Sequence, residues 1–327
     1  MATPTLTLPA DCTQIALCGG PYSNFGAVEA FLAATAGVPY RFCLGDMGGF
    51  GPWPDRTLDL LRDAGVVCLQ GNYDYAVGHG EPECGCGYED EADRRYAQIS
   101  YDYTLSHTAD RHRQWLRELP PLLRLEWVDR PGFALLLCHG SPDRVNEFVW
   151  ESSTENAKIQ AWLQQHKVQS ICATHSGLPW LRSIPSQSAG SAQGARSAQD
   201  PEFSENVPSS HSVPSFPGFW CNVGVLGRPA HEGRPQVYYA LISLPSESPQ
   251  PQANLSPRPD RAPTSSLHIE LRPLTYDPAP VVRAMAAEGL PAVFGEALTT
   301  GQWTTCSSVL PEAEKAVQLR VPAPHYH

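Results

Sequence analysis

The sequence has few positive charges and no long apolar run. Its 327 residues include 23 Lys and Arg against 34 Asp and Glu, which gives a formal net charge of −11. Such a chain repels the phosphate backbone of nucleic acids, and no run of Lys or Arg forms a compensating basic groove. No apolar stretch approaches the roughly 18 residues of a membrane-spanning helix. Nucleic acid and membrane are therefore not expected partners, whereas a small phosphorylated ligand held through a cation is compatible with this charge.

The N-terminus also lacks the basic region and apolar run of a secretory signal. Without an export signal, reduced thiols in the cytoplasm are the default for the ten cysteines. Half of them lie in or at the ends of apolar runs, where a free cysteine behaves as a small core residue. These five are Cys18, Cys43, Cys68, Cys138 and Cys172. We therefore expect a cytoplasmic protein without a disulfide framework.

Short apolar runs alternate with amphipathic segments over the first 180 residues. The predicted strands are 15–18, 40–44, 66–69, 133–138 and 170–173, and the predicted helices are 24–36, 54–64 and 154–166. Later segments predict strands at 236–242 and 267–272 and a closing helix at 278–288. Strands that alternate with helices indicate a mostly parallel α/β sheet.

Length alone allows two domains or one large one, and three segments interrupt the alternation of strands and helices. Residues 75–120, with a predicted helix at 109–119, are interpreted as a helical excursion beside the sheet. Residues 186–217 and 245–266 are rich in Ser and Pro, and such composition buries too little apolar area to offset the entropy of ordering. They are predicted to be flexible insertions, and residues 291–327 a C-terminal extension.

Four polar residues follow predicted strands directly. Asp46, Asn72, His139 and His175 each come just after a strand, with glycines nearby. One such residue is usually an ordinary loop residue, but four together favour a ligand site, because ligands bind beyond the carboxyl ends of parallel strands. Oxygen and imidazole ligands of this mix suit Mn, Fe or Zn. We expect the four side chains to converge on one cleft.

Five ordered blocks carry a resemblance to a known family. They are Leu44-Gly-Asp46 with Gly49-Phe-Gly-Pro52, Gly71-Asn-Tyr-Asp74, Cys138-His-Gly-Ser-Pro142, Cys172-Ala-Thr-His175 and Asn222-Val-Gly-Val-Leu-Gly-Arg-Pro229. Over residues 13–185 and 219–290, the chain resembles the calcineurin-like metallophosphoesterases, especially their small bacterial and archaeal branch. This resemblance implies a single domain over residues 13–290, a four-layer α/β/β/α sandwich and a metal-dependent phosphoester hydrolase.

The resemblance also implies roles for the four polar residues. Asp46 would bridge two metal positions, with Asn72 and His139 on one and His175 on the other. One or two divalent transition metal ions would then activate water for in-line attack on phosphorus.

Two arginines are candidates for binding the substrate. Arg144 follows the His139 block, and Arg228 lies in the block that begins at Asn222. Each could receive the anionic group of a small phosphorylated substrate. An ordinary surface position is the commoner explanation for such a residue.

The chain departs from the family pattern at several positions. Gly20 and Tyr22 stand where the first block supplies an Asp and a His, and Ala173 replaces the first His of the fourth block. Tyr73 stands where many members have a His that assists leaving-group protonation, which makes Tyr22 and Tyr73 the candidate catalytic residues. We expect Tyr22 to point into the cleft, as a ligand or as a hydrogen-bond donor to phosphate. A standard two-metal clamp is not expected.

Three interpretations follow. The first is a phosphoesterase-like hydrolase with a reduced or remodelled metal centre, and the second is a non-catalytic binding or regulatory protein with the same fold. The third places a new metal or redox site at Cys84 and Cys86, with His79 nearby. That pair lies in a polar, Gly-rich loop, where burial would not explain it, although a C-x-C pair alone is a weak signal.

Overall fold

The computed structural model describes residues 3–185, 218–244 and 267–316. The predicted flexible insertions at 186–217 and 245–266 lie outside the described residues, as does the end of the predicted C-terminal extension. In the described part of the chain, no helix combines the length and apolar character that a bilayer crossing requires.

The described strands form two sheets. The strands are β1 Thr5–Leu8, β2 Gln14–Cys18, β3 Tyr40–Cys43, β4 Val67–Cys68, β5 Leu122–Trp127, β6 Ala134–Cys138, β7 Ser170–Ala173, β8 Trp180–Ile184, β9 Gly218–Asn222, β10 Val237–Ser243 and β11 His268–Leu274. One sheet has the order β1-β5-β6-β7-β9-β8, and the other has the order β11-β10-β2-β3-β4.

The described helices lie in four of the connections between strands and in the segment that follows β11. They are α1 Phe25–Ala34, α2 Pro54–Asp63, α3 Asn72–His79, α4 Glu91–Ser106, α5 Asp110–Glu118, α6 Asn156–His166, α7 Ala279–Ala287, α8 Ala292–Thr300 and α9 Glu312–Lys315. Residues 75–120 thus hold most of α3 together with α4 and α5. The chain then returns to the six-stranded sheet at β5.

The fold is mixed α/β. The alternation of strands and helices alone indicated one mostly parallel sheet, whereas the strands form two sheets. Strands β2, β3 and β4 run parallel in one sheet, and β6, β7 and β9 run parallel in the other. Antiparallel partners join both groups: β10 pairs with β2 and β11, β5 with β6, and β8 with β9. The second sheet implied by the family resemblance is confirmed.

Alternate residues of the inner strands enter different apolar cores. Leu17, Phe42, Leu135, Leu137 and Ile242 belong to one buried cluster built from both sheets. Because strand side chains alternate between faces, their neighbours in sequence point the other way. Burial of this apolar surface between the sheets is the main force that holds them together.

The outward faces of the two sheets pack against different helices. Ala16 and Cys43 share a cluster with Val28 and Phe31 of α1 and with Leu61 of α2. On the other sheet, a second cluster packs strand residues against α6, and its members include Leu136, Ile171, Trp220, Ile159 and Trp162. This distribution of buried side chains is the one that an α/β/β/α sandwich requires.

Asn24 fixes the start of α1 next to the first loop of the five-stranded sheet. Its Oδ1 accepts a hydrogen bond from the Ala27 amide at 3.2 Å, and its Nδ2 donates to the Tyr276 hydroxyl at 2.6 Å. We expect Asn24→Ala to lower the free energy of unfolding by about 2 kcal/mol, since the helix loses its N-cap and Tyr276 loses a partner. Urea denaturation measures this loss.

Tyr276→Phe is the matched control for the Asn24 variant. It removes the hydroxyl that Asn24 contacts but keeps the N-cap of α1. We expect a loss of about 1 kcal/mol. Equal losses for the two variants would contradict a capping role for Asn24.

Candidate metal centre

The predicted site residues come from both sheets. Asp46 follows β3 and Asn72 opens α3 after β4, whereas His139 follows β6 and His175 lies just beyond β7. The two sheets face each other across their shared core, so the carboxyl ends of these four strands supply the site from two sides. The sequence pattern had placed all four residues at the edge of one sheet.

Asp46, His139 and His175 form a compact cluster. Each offers a ligand atom within 4.8 Å of those of the other two. His139 Nε2 lies 3.2 Å from Asp46 Oδ2 and 3.0 Å from His175 Nδ1. The three residues are 3%, 1% and 7% exposed, respectively. Buried electron-rich atoms this close need a proton or a cation between them.

The tautomer of His139 suits a ligand. Its Nδ1 lies 2.7 Å from the Leu44 carbonyl oxygen, which can only accept, so Nδ1 carries a proton. When the ring is neutral, its Nε2 electron pair faces Asp46 and His175. A histidine fixed by a carbonyl on its other nitrogen is the usual arrangement around protein-bound metals.

The charges in the cluster shift the pKa of each member. Burial lowers the pKa of His139, but Asp46 and the Leu44 carbonyl outweigh it, so the pKa lies above its ordinary value. Burial raises the pKa of Asp46, yet the His139 ring brings it below the ordinary value. Burial and the neighbouring His139 lower the pKa of His175 to about 3. His175 is therefore neutral and Asp46 ionised at neutral pH, as metal ligands must be.

Asn72 adds an oxygen that lacks a partner. Its Nδ2 donates to the Cys84 carbonyl at 2.9 Å and to Cys86 Sγ at 3.2 Å, which fixes the amide. Within the described residues, its Oδ1 is buried without a hydrogen-bond partner, as is His175 Nε2. Buried polar atoms are rarely left unmatched, and a cation would satisfy an amide oxygen. The residues present therefore fit a divalent metal ion.

Asp74 holds together the two loops that carry Asp46 and Asn72, a role that was not predicted from the sequence. Its carboxylate accepts hydrogen bonds from the amides of Asp46 at 2.7 Å, Met47 at 3.0 Å and Gly71 at 2.8 Å. Burial, with the nearby Asp46 charge, raises the pKa of Asp74 to about 7. The sequence offered one signal for this role, because Asp74 lies in the Gly71-Asn-Tyr-Asp74 block. Within that block only Asn72 was predicted to have a role as a metal ligand.

The loops of the site contain strained backbone. Tyr22, Ser23 and Asp46 have φ of 49°, 54° and 56°, in the left-handed region that L residues seldom adopt. Each costs of order 1–3 kcal/mol, and such residues concentrate at functional sites. Gly71 shows how close the loops come, since a Cβ built on it would lie 2.3 Å from Asp46 Oδ1.

Tyr22 lies next to Asp46 in the structure. Its amide donates to the Asp46 carbonyl at 3.3 Å, and its ring packs edge-on against Phe50 at 5.4 Å. Burial raises the pKa of the phenol well above its ordinary value, and the Asp46 charge adds to this while Arg228 opposes it. The phenol is therefore protonated and suited to donate a hydrogen bond. Its predicted catalytic role stays a prediction.

Tyr73 turns toward the helical excursion. Its amide donates to Asp46 Oδ1 at 3.0 Å, but its hydroxyl lies 2.9 Å from Ser100 Oγ and 3.3 Å from the Ala97 carbonyl on α4. The backbone of Tyr73 thus contributes to the site, while its hydroxyl is engaged elsewhere. The catalytic role predicted for the side chain stays a prediction.

The two predicted substrate arginines differ in setting. The side chain of Arg144 is 69% exposed and lies 3.6 Å from Glu147. Arg228 is buried, donates to the Thr305 carbonyl, and stacks over Trp303 at 4.1 Å. Its pKa is lowered by burial, although nearby Cys306, tyrosines and Asp93 oppose the shift. Substrate binding by either arginine stays a prediction.

The thiols of Cys84 and Cys86 are buried, contrary to the expectation from their polar loop. They are 6% and 8% exposed, and their sulfur atoms lie 2.8 Å apart. His79 is exposed and bonds to the Tyr75 carbonyl. Among the described residues, His79 and the two cysteines do not form a three-ligand cluster. All ten cysteines are free thiols.

A neighbouring side chain occupies the space at one of the missing-ligand positions, Gly20. Gly20 has φ +42°, and a Cβ built there would lie 2.5 Å from Val225 Cγ1. Ala173 is the last residue of β7 and is buried in the core beneath α6. The position of Gly20 therefore has no room for the aspartate of the family pattern, and the site lacks the ligand that this aspartate would supply beside Asp46.

The paired sheets and the Asp and His residues at their carboxyl ends define a metallophosphoesterase-type structure. The family model for calcineurin-like phosphoesterases matches residues 13–206, more than half of the chain. The chain therefore belongs to the calcineurin-like phosphoesterase family, a family of phosphoesterase-type hydrolases whose members typically bind divalent metals.

Relatives with the same fold come from bacteria and archaea. A metallophosphoesterase from Sphaerobacter thermophilus has 20% identity, a TM-score of 0.57, and coverage of 89% of this chain and 100% of its own. A hypothetical protein from Pyrococcus horikoshii OT3 has 16% identity, a TM-score of 0.59, and coverage of 88% and 98%. An uncharacterized protein of Methanocaldococcus jannaschii is 26% identical over 142 residues, 42% of this chain. That match spans about half of the relative, or 53% of its length.

Proposed function

We propose that this chain is a metal-dependent phosphoester hydrolase with a reduced metal centre. Asp46, His139 and His175 would hold the ion, and the Oδ1 of Asn72 would add an oxygen ligand. The observation that carries the proposal is the buried cluster of three ligand atoms within 4.8 Å of one another. The absence of an aspartate at Gly20 and of a histidine at Ala173 favours one tightly held ion over two. Mixed oxygen and imidazole ligands suit Mn, Fe or Zn.

The chain's own residues would prepare the site for a phosphate group. A divalent cation held there would supply the positive charge that polarises a phosphoryl oxygen. The protonated phenol of Tyr22 is suited to donate a hydrogen bond to an oxygen of the substrate. Arg228, whose charge acts to lower the pKa of the Tyr22 phenol, would add a positive charge near that phenol. The net charge of −11 favours a small phosphoester over a nucleic acid.

The proposal is tested by metal binding and hydrolysis measured on the same protein. Calorimetric titration of chelator-treated protein with Mn²⁺ should give close to one ion per chain. The loaded protein should hydrolyse members of a panel of phosphomonoesters and phosphodiesters, and a chelator should abolish the activity. No binding of Mn²⁺, Zn²⁺ or Fe²⁺ together with no hydrolysis would refute the proposal.

His139→Gln and His79→Gln form a matched pair for that test. His139 is a proposed ligand, whereas His79 lies exposed on α3, close in sequence to the site. We expect His139→Gln to weaken metal binding by about tenfold or more and His79→Gln to leave it unchanged. Equal effects of the two changes would contradict the assignment of His139.

A non-catalytic binding role is the alternative. It is favoured by Val225, which occupies the space beside Gly20, and by the low exposure of the ligand side chains. Metal binding with full stoichiometry but no hydrolysis across the whole panel would support this alternative. Turnover of any substrate that depends on the metal and on Asp46 would exclude it.

A further inference from the structure

Cys84 and Cys86 form a close pair of thiols beside the metal centre. Their sulfur atoms lie 2.8 Å apart, and each can donate to the other. Cys86 Sγ also accepts from Asn72 Nδ2 at 3.2 Å. The pair is thus joined to a proposed metal ligand by a direct hydrogen bond.

The loop that carries these thiols is open on its outer side. It connects α3 to α4 without regular secondary structure, and both Gly85 and Gly87 are exposed. A Cβ built on either glycine would meet no atom within 4 Å. Gly85 has φ +68°, and this turn brings the flanking thiols to the same side. Opening of this loop would leave the sheets and helices intact and would admit a small reagent to thiols that are 6% and 8% exposed.

A second thiol pair in the protein offers a comparison. Cys172 and Cys221 are paired in register on the adjacent strands β7 and β9, and both are 0% exposed. Opening there would require disruption of the six-stranded sheet. Proximity is therefore shared by both pairs, while accessibility distinguishes the loop pair.

We propose that Cys84 and Cys86 are a redox-active dithiol that closes to a disulfide by exchange with a low-molecular-weight disulfide. One thiol loses its proton and attacks a sulfur of the small disulfide, which releases one small thiol and leaves a mixed disulfide. The other cysteine then loses its proton and attacks the mixed disulfide, which releases the second small thiol. Two protein thiols are oxidised, one small disulfide is reduced to two thiols, and the two protons pass to the released thiolates.

Closure of this disulfide changes the surroundings of Asn72. Its amide is fixed by Cys86 Sγ and by the Cys84 carbonyl, and both belong to the loop that the disulfide would tighten. Loss of such supporting contacts typically weakens metal binding by 10- to 100-fold. We expect oxidised protein to bind Mn²⁺ about tenfold more weakly than reduced protein. This consequence, unlike the disulfide itself, rests on the proposed function.

The disulfide is tested by redox titration of the full chain. Protein is equilibrated in buffers of reduced and oxidised glutathione, alkylated, and mapped by peptide mass spectrometry. We expect Cys84 and Cys86 to lose two hydrogens together, while Cys172 and Cys221 stay reduced. Absence of the 84–86 disulfide, or oxidation of Cys172 and Cys221 at the same ratio, would overturn the proposal. Mapping wild-type protein does not depend on whether any variant folds.

Single-cysteine variants check the pairing. Cys84→Ser and Cys86→Ser should each trap glutathione as a mixed disulfide on the remaining thiol, because no partner is left to release it. Cys12→Ala, which removes a buried thiol distant in sequence from this loop, should oxidise like the wild type. Variants of Cys84 or Cys86 that show no mixed disulfide would contradict the exchange mechanism.

The metal measurement separates the two proposals. Mn²⁺ is used because it binds thiolates poorly and so reports on the oxygen and imidazole ligands. Weaker binding by the oxidised protein supports the coupling, and equal affinity in both states overturns it. If the reduced protein binds no metal, the proposed function fails, while peptide mapping still decides whether the dithiol exists.

Discussion

Gly20→Asp is expected to destabilise the protein by about 3 kcal/mol or more, although it restores a residue type of the family pattern. Two costs add. An aspartate at φ +42° occupies a region that L side chains seldom adopt, and its Cβ would lie 2.5 Å from Val225 Cγ1 and 2.8 Å from Val225 Cβ. Neither atom belongs to the end of a flexible side chain, so the backbone must move. Chemical denaturation measures the loss.

A double-mutant cycle with Val225 separates the cost of the strained backbone at Gly20 from the cost of the steric clash with Val225. Gly20→Ala carries the backbone strain without a charge, and Val225→Ala removes both γ-methyl groups. We expect Gly20→Asp and Val225→Ala to be non-additive, with the double variant recovering about 1 kcal/mol of the summed loss. Strict additivity would show that Val225 does not fill the vacated space. A fully stable Gly20→Asp that binds a second metal ion would contradict the reduced centre.

Local patterns were sufficient to predict most of the strands and helices that build the site. The runs that end at Cys18, Cys43 and Cys138 are wholly or mostly apolar because both faces of these strands are covered. Helices α1 and α2 followed from apolar spacing and from Pro54 at the first helical position. Such signals lie within ten or so residues and need no knowledge of the rest of the fold.

Strand partners could not be predicted in the same way. Strand β5, Leu122–Trp127, alternates between half-buried and buried residues and pairs with β1 and β6. Its neighbours are set by apolar contacts between segments distant in sequence, which no local period encodes. For the same reason, the alternation pattern gave one mostly parallel sheet, and the second sheet was predicted from the family resemblance together with the late strands near residues 236 and 267.

In the site, residue type and position after a strand identified Asp46, Asn72, His139 and His175. What sequence could not give was the set of contacts made across the fold. Asp74 ties the Asp46 loop to Gly71 through three backbone amides, and the Cys84–Cys86 loop folds inward onto Asn72. Both depend on how two loops meet, so neither is visible from composition or spacing.

The aromatic stacking around His175 is another contact that could not be predicted from the sequence. The ring of Phe148 lies 4.4 Å from that of His175 and stacks on Trp150 at 5.4 Å. In the sequence, Phe148 carried no signal beyond its aromatic character. Contact with His175 arises because the loop after β6 passes over the end of β7.

Asp46→Asn is expected to weaken metal binding by about a hundredfold or more, since even loss of an outer contact of a ligand costs 10- to 100-fold. The change removes the negative charge at the centre of the cluster, while the hydrogen bond from the Tyr73 amide can persist. It should also lower the pKa of His139, because burial then acts without the Asp46 charge that opposes it. Calorimetry with Mn²⁺ measures the first effect, and an NMR pH titration of the His139 ring measures the second.

Asp93→Asn is the matched control for this experiment. Asp93 is also buried and accepts backbone hydrogen bonds, from the Cys306 amide at 2.5 Å and the Ser308 amide at 2.8 Å. Its loss should lower the free energy of unfolding by about 1–3 kcal/mol and leave Mn²⁺ affinity unchanged. If Asp46→Asn binds Mn²⁺ as the wild type does, the metal centre does not lie at this cluster. If both variants lose affinity equally, the effect reflects general destabilisation instead of ligand removal.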